Sequence, residues 1–471
     1  MVSICNRCTA ASVSILSVAL FFLAGSSDPV GADDAAYPST YQRLPSGAVL
    51  ITQATILTGT GQRLDDASLL LQDGKVAKIG SNIQLNGQVV GDVTTIDAEG
   101  RWVTPGLIDV HSHLGVYPSP NLLAHQDGNE MTSPSTANVW AEHSIWPQDP
   151  GFSRALAGGV TSLQVLPGSG NLVGGRGVTL KNIYSTSYQG MKFPGAPHGL
   201  KMACGENPKR FYGEKGVTPS TRMGNVSGYR TQWIEAQKYI ADWEKYEKAV
   251  TEGKEDATAP SRDLRLETLA AALKGEILVH MHCYRADEMM TVLDMADEFG
   301  YRIAAFHHGV EAYKIADELA EAGTCGALWA DWWGFKAEAY DGIQENIAMV
   351  DRPKGGCAIV HSDSSEGIQR LNQEAAKAMT RGIAAGMVIT PEHAIQWITS
   401  NPAKSMGILD QTGTLEPGKM ADVVIWNGNP FSVYAKAEQV FIDGALVYDR
   451  HDPDRQPVSD FELGQLLGER P

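Results

Sequence analysis

Residues Pro105 to His113 read Pro-Gly-Leu-Ile-Asp-Val-His-Ser-His, an apolar run that ends in two histidines one residue apart. Side chains alternate faces along a strand, so His111 and His113 project to one side at its end, where both imidazoles can grip one metal ion. A lone His-x-His pair also occurs as a satisfied polar pair. Here the same chemistry recurs wherever a later apolar run stops. His280 and His282 close the run 276–279, His307 and His308 close 303–306, and Asp363 follows 358–360. Core packing would not produce this set, and the joint placement predicts a metal site.

Such residues need strands that end at a common mouth. From about 105 to 408 short apolar runs alternate with helical patterns, the signature of βα units. Candidate strands are Leu107 to Val110, Thr161 to Leu166, Val178 to Lys181, Leu200 to Cys204, Ile277 to His280, Ile303 to Phe306, Gly326 to Trp329 and Ala358 to Val360. Eight runs suggest an α/β fold, a closed (β/α)8 TIM-type barrel with its reactive groups at the strand C-terminal ends. An insertion at about 207–265 separates the fourth and fifth runs, and within it Tyr229 to Val250 has helical spacing that fits a helix bordering the site or a solvated decoration. Residues 47–104 and 409–455 are β-rich and broken by turns such as Asp73-Gly74 and Asp443-Gly444, which suggests one small β-sandwich built from both ends.

The 471 residues carry a net charge of -17, which argues against a nucleic-acid partner, since phosphate binding needs a basic face. Homo-oligomerisation stays open. Arg7, an apolar stretch from Ala10 to Ala24 and the small residues Val30-Gly31-Ala32 resemble a secretory signal peptide spanning 1–32, with cleavage after Ala32. That predicts a secreted or periplasmic protein without stable membrane insertion after cleavage. Beyond that segment stand Cys204, Cys283, Cys325 and Cys357. In an exported chain they are compatible with one or two disulfides, although scattered cysteines are more often buried small apolar side chains.

On these residues the chain resembles the amidohydrolase superfamily, specifically its imidazolonepropionase-like branch of metal-dependent hydrolases. The resemblance rests on the 105–113 motif, Ala-Gly-Gly-Val-Thr-Ser at 157–162, His-His-Gly at 307–309 and His-Ser-Asp-Ser at 361–364. Asn-Pro-Ala-Lys at 401–404 and the run Gly413 to Asp422 complete it. It covers nearly all of the chain beyond the signal segment and implies a barrel with a sandwich formed by both termini. It also implies His111, His113, His280, His308 and Asp363 as metal ligands. On the fourth strand either Glu206 or a carboxylated Lys201 would bridge two ions, with Glu206 preferred for its place after Gly205. His280 is preferred over His282, and His308 over His307 because it precedes Gly309.

His282, Tyr284 and Arg285 would then touch substrate, unless Arg285 is spent on a helix-start ion pair with Asp287 or Glu288. Lys209 and Arg210 either neutralise a substrate carboxylate or form an exposed basic pair. The implied cofactor is one or two divalent ions, zinc first, with manganese, cobalt or iron compatible with the same donors. These would acidify a water and polarise a carbonyl while Asp363 moves the proton. The expected activity is hydrolysis of a C–N bond in an amide, cyclic amide or dipeptide-like small molecule. A deaminase, a metallopeptidase or a non-catalytic binding protein on the same fold are the alternatives.

Overall fold

Short β-prone runs at both ends of the chain make one sheet. The computed structural model describes residues 37–85 and 92–456, and the expected signal segment lies outside them. The first strands are β1 (Ala48–Leu57), β2 (Arg63–Gln72), β3 (Lys75–Gly80), β4 (Val93–Asp97) and β5 (Trp102–Pro105). The chain then builds a barrel from β6 (Leu107–Ser112), β7 (Val160–Val165), β8 (Val173–Lys181), β9 (Gly199–Ala203), β10 (Leu278–His282), β11 (Ile303–His307), β12 (Cys325–Leu328) and β13 (Ala358–Val360). It returns through β14 (Val423–Trp426), β15 (Ala437–Ile442) and β16 (Ala445–Asp449). Because β14 pairs antiparallel with β5, the terminal sheet runs β16-β15-β14-β5-β1-β2-β3, with β4 parallel to β1. Its buried face is apolar, built on Ile51, Ile56, Leu69, Val103, Val423 and Phe441.

In the barrel each strand pairs with the next from β6 to β13. The strands are buried on both faces, as expected of strands covered by helices such as Ala286–Phe299 and Leu371–Ala384. The fold is thus a TIM-type barrel joined to a small β-sandwich domain. One strand departs from the expected βα repeat: β8 runs antiparallel to both β7 and β9. A glycine-rich loop at 166–172 replaces a crossover helix, so the chain must return in the opposite direction. Gly175 lies at φ +116°, where a Cβ would stand 2.4 Å from the Val139 carbonyl oxygen, and only glycine fits.

Polar groups join the parts. The Lys181 ammonium, fully buried, lies 2.8 Å from Asp443 and 3.4 Å from Asp422, pinning the barrel to the terminal sheet. In the insertion, the helix Arg222–Thr251 extends the expected one at its N-terminal side. Its first half clamps the exit of β9: Asn225 Nδ2 donates to Gly205 O at 3.0 Å, and the Tyr229 hydroxyl donates to Ala203 O. Its later turns are mostly exposed.

The cysteines are not simple apolar filler. Cys204 is bonded to Cys283 at the C-terminal ends of β9 and β10, and Cys325 to Cys357 at the N-terminal ends of β12 and β13. Pairing across adjacent strands joins residues 79 and 32 positions apart, distances over which sequence spacing alone gives no signal. Without reductant, none of these four thiols should react with iodoacetamide. Reduction should lower the stability read from urea unfolding by about 2–4 kcal/mol per bridge; unchanged unfolding after reduction would contradict the pairing.

Candidate metal centre

Strand alternation carries His111 into the barrel, and the turn after β6 places His113 beside it. His111 Nε2 and His113 Nε2 stand 3.2 Å apart, and Asp363 Oδ1 lies 3.1 Å from His113 Nε2 and 3.5 Å from His111 Nε2. These three residues offer ligand atoms within 4.8 Å of one another, a group able to hold a metal ion. His113 Nδ1 faces the Leu166 carbonyl oxygen at 2.8 Å. A carbonyl only accepts, so Nδ1 carries the proton and the Nε2 lone pair turns toward Asp363. His111 Nδ1 lies 2.8 Å from His307 Nδ1, leaving its Nε2 for the same space. Imidazoles held from behind in this way are prepared as metal ligands.

His308 and Asp363 reach the centre through unusual backbone. Their φ angles are +58° and +47°, in the left-handed region that non-glycine residues rarely occupy. Regular alternation would send His307 and His308 to opposite faces, and the left-handed turn lets both imidazoles face inward. His308 Nε2 comes to 3.6 Å from Asp363 Oδ2, while its Nδ1 pairs with His361 Nε2 at 3.1 Å. Strain of this kind persists where surrounding contacts impose it, and is common at functional sites.

The structure separates the expected residues into two tiers. His282, rather than His280, lies beside His308, with ring centroids 5.0 Å apart. His280 Nδ1 instead meets His307 Nε2 at 2.9 Å, one layer deeper, giving a chain from His111 through His307 to His280. On the fourth strand, Lys201 is fully buried and in register with His280. Its ammonium donates to Pro167 O at 2.9 Å. Glu206, the preferred bridging residue, sits outside this group. Gly205, at φ +76°, turns the chain away from the barrel axis, and the Glu206 carboxylate lies 3.6 Å from Lys336.

Tyr284 packs against His282 with centroids 4.5 Å apart, whereas Arg285 makes the helix-start pair with Asp287 at 2.9 Å and lines the outer cleft. Lys209 lines that cleft too, and Arg210 is exposed.

Burial dominates the electrostatics. It holds His111, His282, His307 and His308 well below the ordinary imidazole pKa, with Lys201 and neighbouring histidines adding to the effect. Burial lowers His280 to about 3 and His361 to about 4. The imidazoles are therefore neutral, with lone pairs free for a cation. Burial also pushes Lys201 down to about 7. For Asp363 burial acts upward, but the hydrogen bond and charge of His113, with His361 and Lys201, hold its carboxyl below the usual value.

Several participants had little sequence signal. Trp329 stacks on His308 at 4.4 Å and 24°. Asp109 and Ser362 close the seam of the barrel: Asp109 Oδ1 accepts from His111 N at 3.1 Å and Ser362 N at 3.2 Å, and Oδ2 accepts from the Ser362 hydroxyl. Asp363 N donates to His111 O at 3.1 Å alongside. Asp109 was hidden in the 105–113 motif as one polar residue in a strand, and His361 in the motif that contains Asp363.

Fold and site together define an α/β barrel whose mouth gathers histidines and an aspartate able to hold a metal ion. The comparisons narrow it. A match to the amidohydrolase family covers residues 362–448. The solved structure of an amidohydrolase from Thermotoga maritima MSB8 is 37% identical, covers 85% of this chain and 100% of its own, and superposes with a TM-score of 0.76. The amidohydrolase tasK of Hapsidospora irregularis is 33% identical over 81% of this chain, which spans only 40% of that longer protein. An imidazolonepropionase of Mesorhizobium japonicum is 24% identical over 82% of this chain and 92% of its own length. The chain belongs to the amidohydrolase family, a class of hydrolases that act on carbon–nitrogen bonds of small molecules, and it is imidazolonepropionase-like within that class. Among the described residues no helix is long and apolar enough to cross a membrane.

Replacing Asp109 by Ala strands three buried donors, so unfolding free energy should fall by roughly 3 kcal/mol, and by less in Asp109→Asn, which keeps one acceptor. Chemical denaturation of the purified variants measures this, and an Asp109→Ala protein as stable as the parent would remove the carboxylate from its role at the seam.

Proposed function

We propose that this chain is an exported, metal-dependent amidohydrolase that cleaves a C–N bond in an amide, cyclic amide or dipeptide-like small molecule. The observation that carries the reading is the convergence of His111, His113 and Asp363 within ligand distance of one another. His111, His113 and Asp363 would hold one divalent ion, and His282 and His308 a second. Lys201, carboxylated, would bridge them in place of Glu206. Lys201, buried beside imidazoles with only the Pro167 carbonyl to accept from it and no ion pair among the described residues, is an unfavourable home for an ammonium, which conversion to an anion would relieve. Zinc suits this mixture of nitrogen and oxygen donors; manganese, cobalt and iron are the alternatives.

A divalent ion bound there would supply Lewis-acid polarisation of the scissile carbonyl and acidify water. The chain's own residues do the rest. Asp363, kept ionised by His113, accepts a proton at its carboxylate and returns it to the leaving nitrogen. His307 holds the His111 ring from behind, and Leu166 O holds that of His113. Trp329 and Tyr284 wall the space above His308 and His282 and limit water entry. Export is supported by the signal-like segment together with two disulfides, which persist in oxidising compartments.

A hydrolysis screen of N-acyl amino acids, dipeptides and cyclic amides with zinc- and manganese-loaded protein tests the activity. Asp363→Asn should lower kcat by about 10²–10⁴-fold on any substrate found, and activity retained in that variant would refute the proton-transfer role. Expression of the full chain in a secreting host tests export. N-terminal sequencing of the product should begin at Asp33, and an uncleaved intracellular product would refute it.

A further inference from the structure

The loop after β12 brings an aromatic wall and one lysine to the mouth of the site. Trp329, stacked on His308, is followed by Trp332 at 5.4 Å and Phe335 at 5.7 Å between ring centroids. Trp332 and Phe335 remain 44% and 55% exposed, an unusual amount of aromatic surface beside a buried polar centre. Next in sequence, the Lys336 ammonium lies 4.7 Å over the Tyr284 ring and donates to Asn207 Oδ1 at 2.9 Å. Asn207 Nδ2 is in turn 3.3 Å from His282 Nε2, so Lys336 is linked to the metal-ligand tier through a single side chain.

Glu206, which pairs with Lys336, also lines a cleft of about 570 Å³ together with Lys209, Arg222, Arg285 and Glu338. Most charges around it are already matched. Arg222 pairs with Glu288 at 3.0 Å and with Glu338, and Arg285 with Asp287. Glu311 and Asp341 both pair with Lys314, at 3.1 and 2.9 Å. Lys336 has only Glu206, at 3.6 Å, and Lys209 on the cleft wall forms no ion pair among the described residues. The mouth therefore sets a lysine whose one ion pair among the described residues is a loose 3.6 Å next to apolar rings.

We propose that Lys336 is the centre of a carboxylate-binding subsite, and that the substrate is an amide carrying a free carboxylate and a bulky apolar group seated on Trp332 and Phe335. The inference rests on the hydrolase reading above for the word substrate, but its test reads binding and needs no turnover. A carboxylate matches one ammonium held by a neighbouring amide oxygen, and would compete with Glu206 for it.

The probes are 3-phenylpropionate and 3-phenylpropionamide, titrated against the zinc-loaded protein by calorimetry and tryptophan fluorescence. The acid should bind about tenfold more tightly than the amide. Lys336→Met should abolish that preference while leaving amide binding unchanged, and Lys336→Arg should restore part of it. Glu206→Gln, which removes the competing carboxylate, should widen the preference, an effect that a purely structural Lys336 would not produce. Trp332→Ala should weaken both ligands. Equal affinity for acid and amide, failure of either to bind, or an acid preference that survives in Lys336→Met would overturn the proposal. The last result would assign the carboxylate to the metal instead. A protein that binds as expected but hydrolyses nothing would sink the hydrolase reading and leave the subsite standing.

Discussion

The carboxylate of Asp109 joins the first barrel strand to the residues leaving the last, and the position of the centre depends on that joint. β6 and β13 end the order of paired strands, and the contacts that bring them together run through Asp109, Ser362 and the bond from Asp363 N to His111 O. The candidate ligands His111 and Asp363 lie on opposite sides of the same seam. Were it to open, the first histidines and the aspartate would separate, whatever the rest of the barrel did. Closing a barrel and building its site are here one set of hydrogen bonds.

Charge explains the arrangement above that seam. A buried cation is costly unless the protein supplies anions. Among the described residues Asp363 is the only carboxylate in the group able to hold an ion, and burial keeps His111, His282, His307 and His308 neutral. Lys201 is buried beside these imidazoles, where burial already disfavours its ammonium form. Carboxylation of Lys201 would put a negative charge there, and this, together with the place of Glu206 beside Lys336, is why the proposed function takes Lys201 rather than Glu206. In the outer tier Glu206 pairs with Lys336, whose ammonium is itself partly desolvated.

Local periodicity made part of this site legible in the sequence. Alternation along β6 placed His111 and His113 together, and the apolar runs located the strand ends that bear His282, His308 and Asp363. What was not legible depends on register between strands. His280 and His282 are two residues apart on one face, and pairing sets their depth: His282 is level with His307, whereas His280 is level with Ala305. The reversal of β8 was hidden for a similar reason, since an apolar run carries no direction. The disulfides joined cysteines far apart in sequence, and the left-handed turns at His308 and Asp363 occur at residue types that do not announce them.

Elemental analysis of purified protein after dialysis tests the central claim most directly, because it reads the metal centre without knowledge of substrate. The account predicts one to two divalent ions per chain in the parent protein, a marked loss in His111→Ala and in Lys201→Met, and full retention in Glu206→Gln. Parent protein without any divalent ion, or metal content unaltered in His111→Ala, would contradict it.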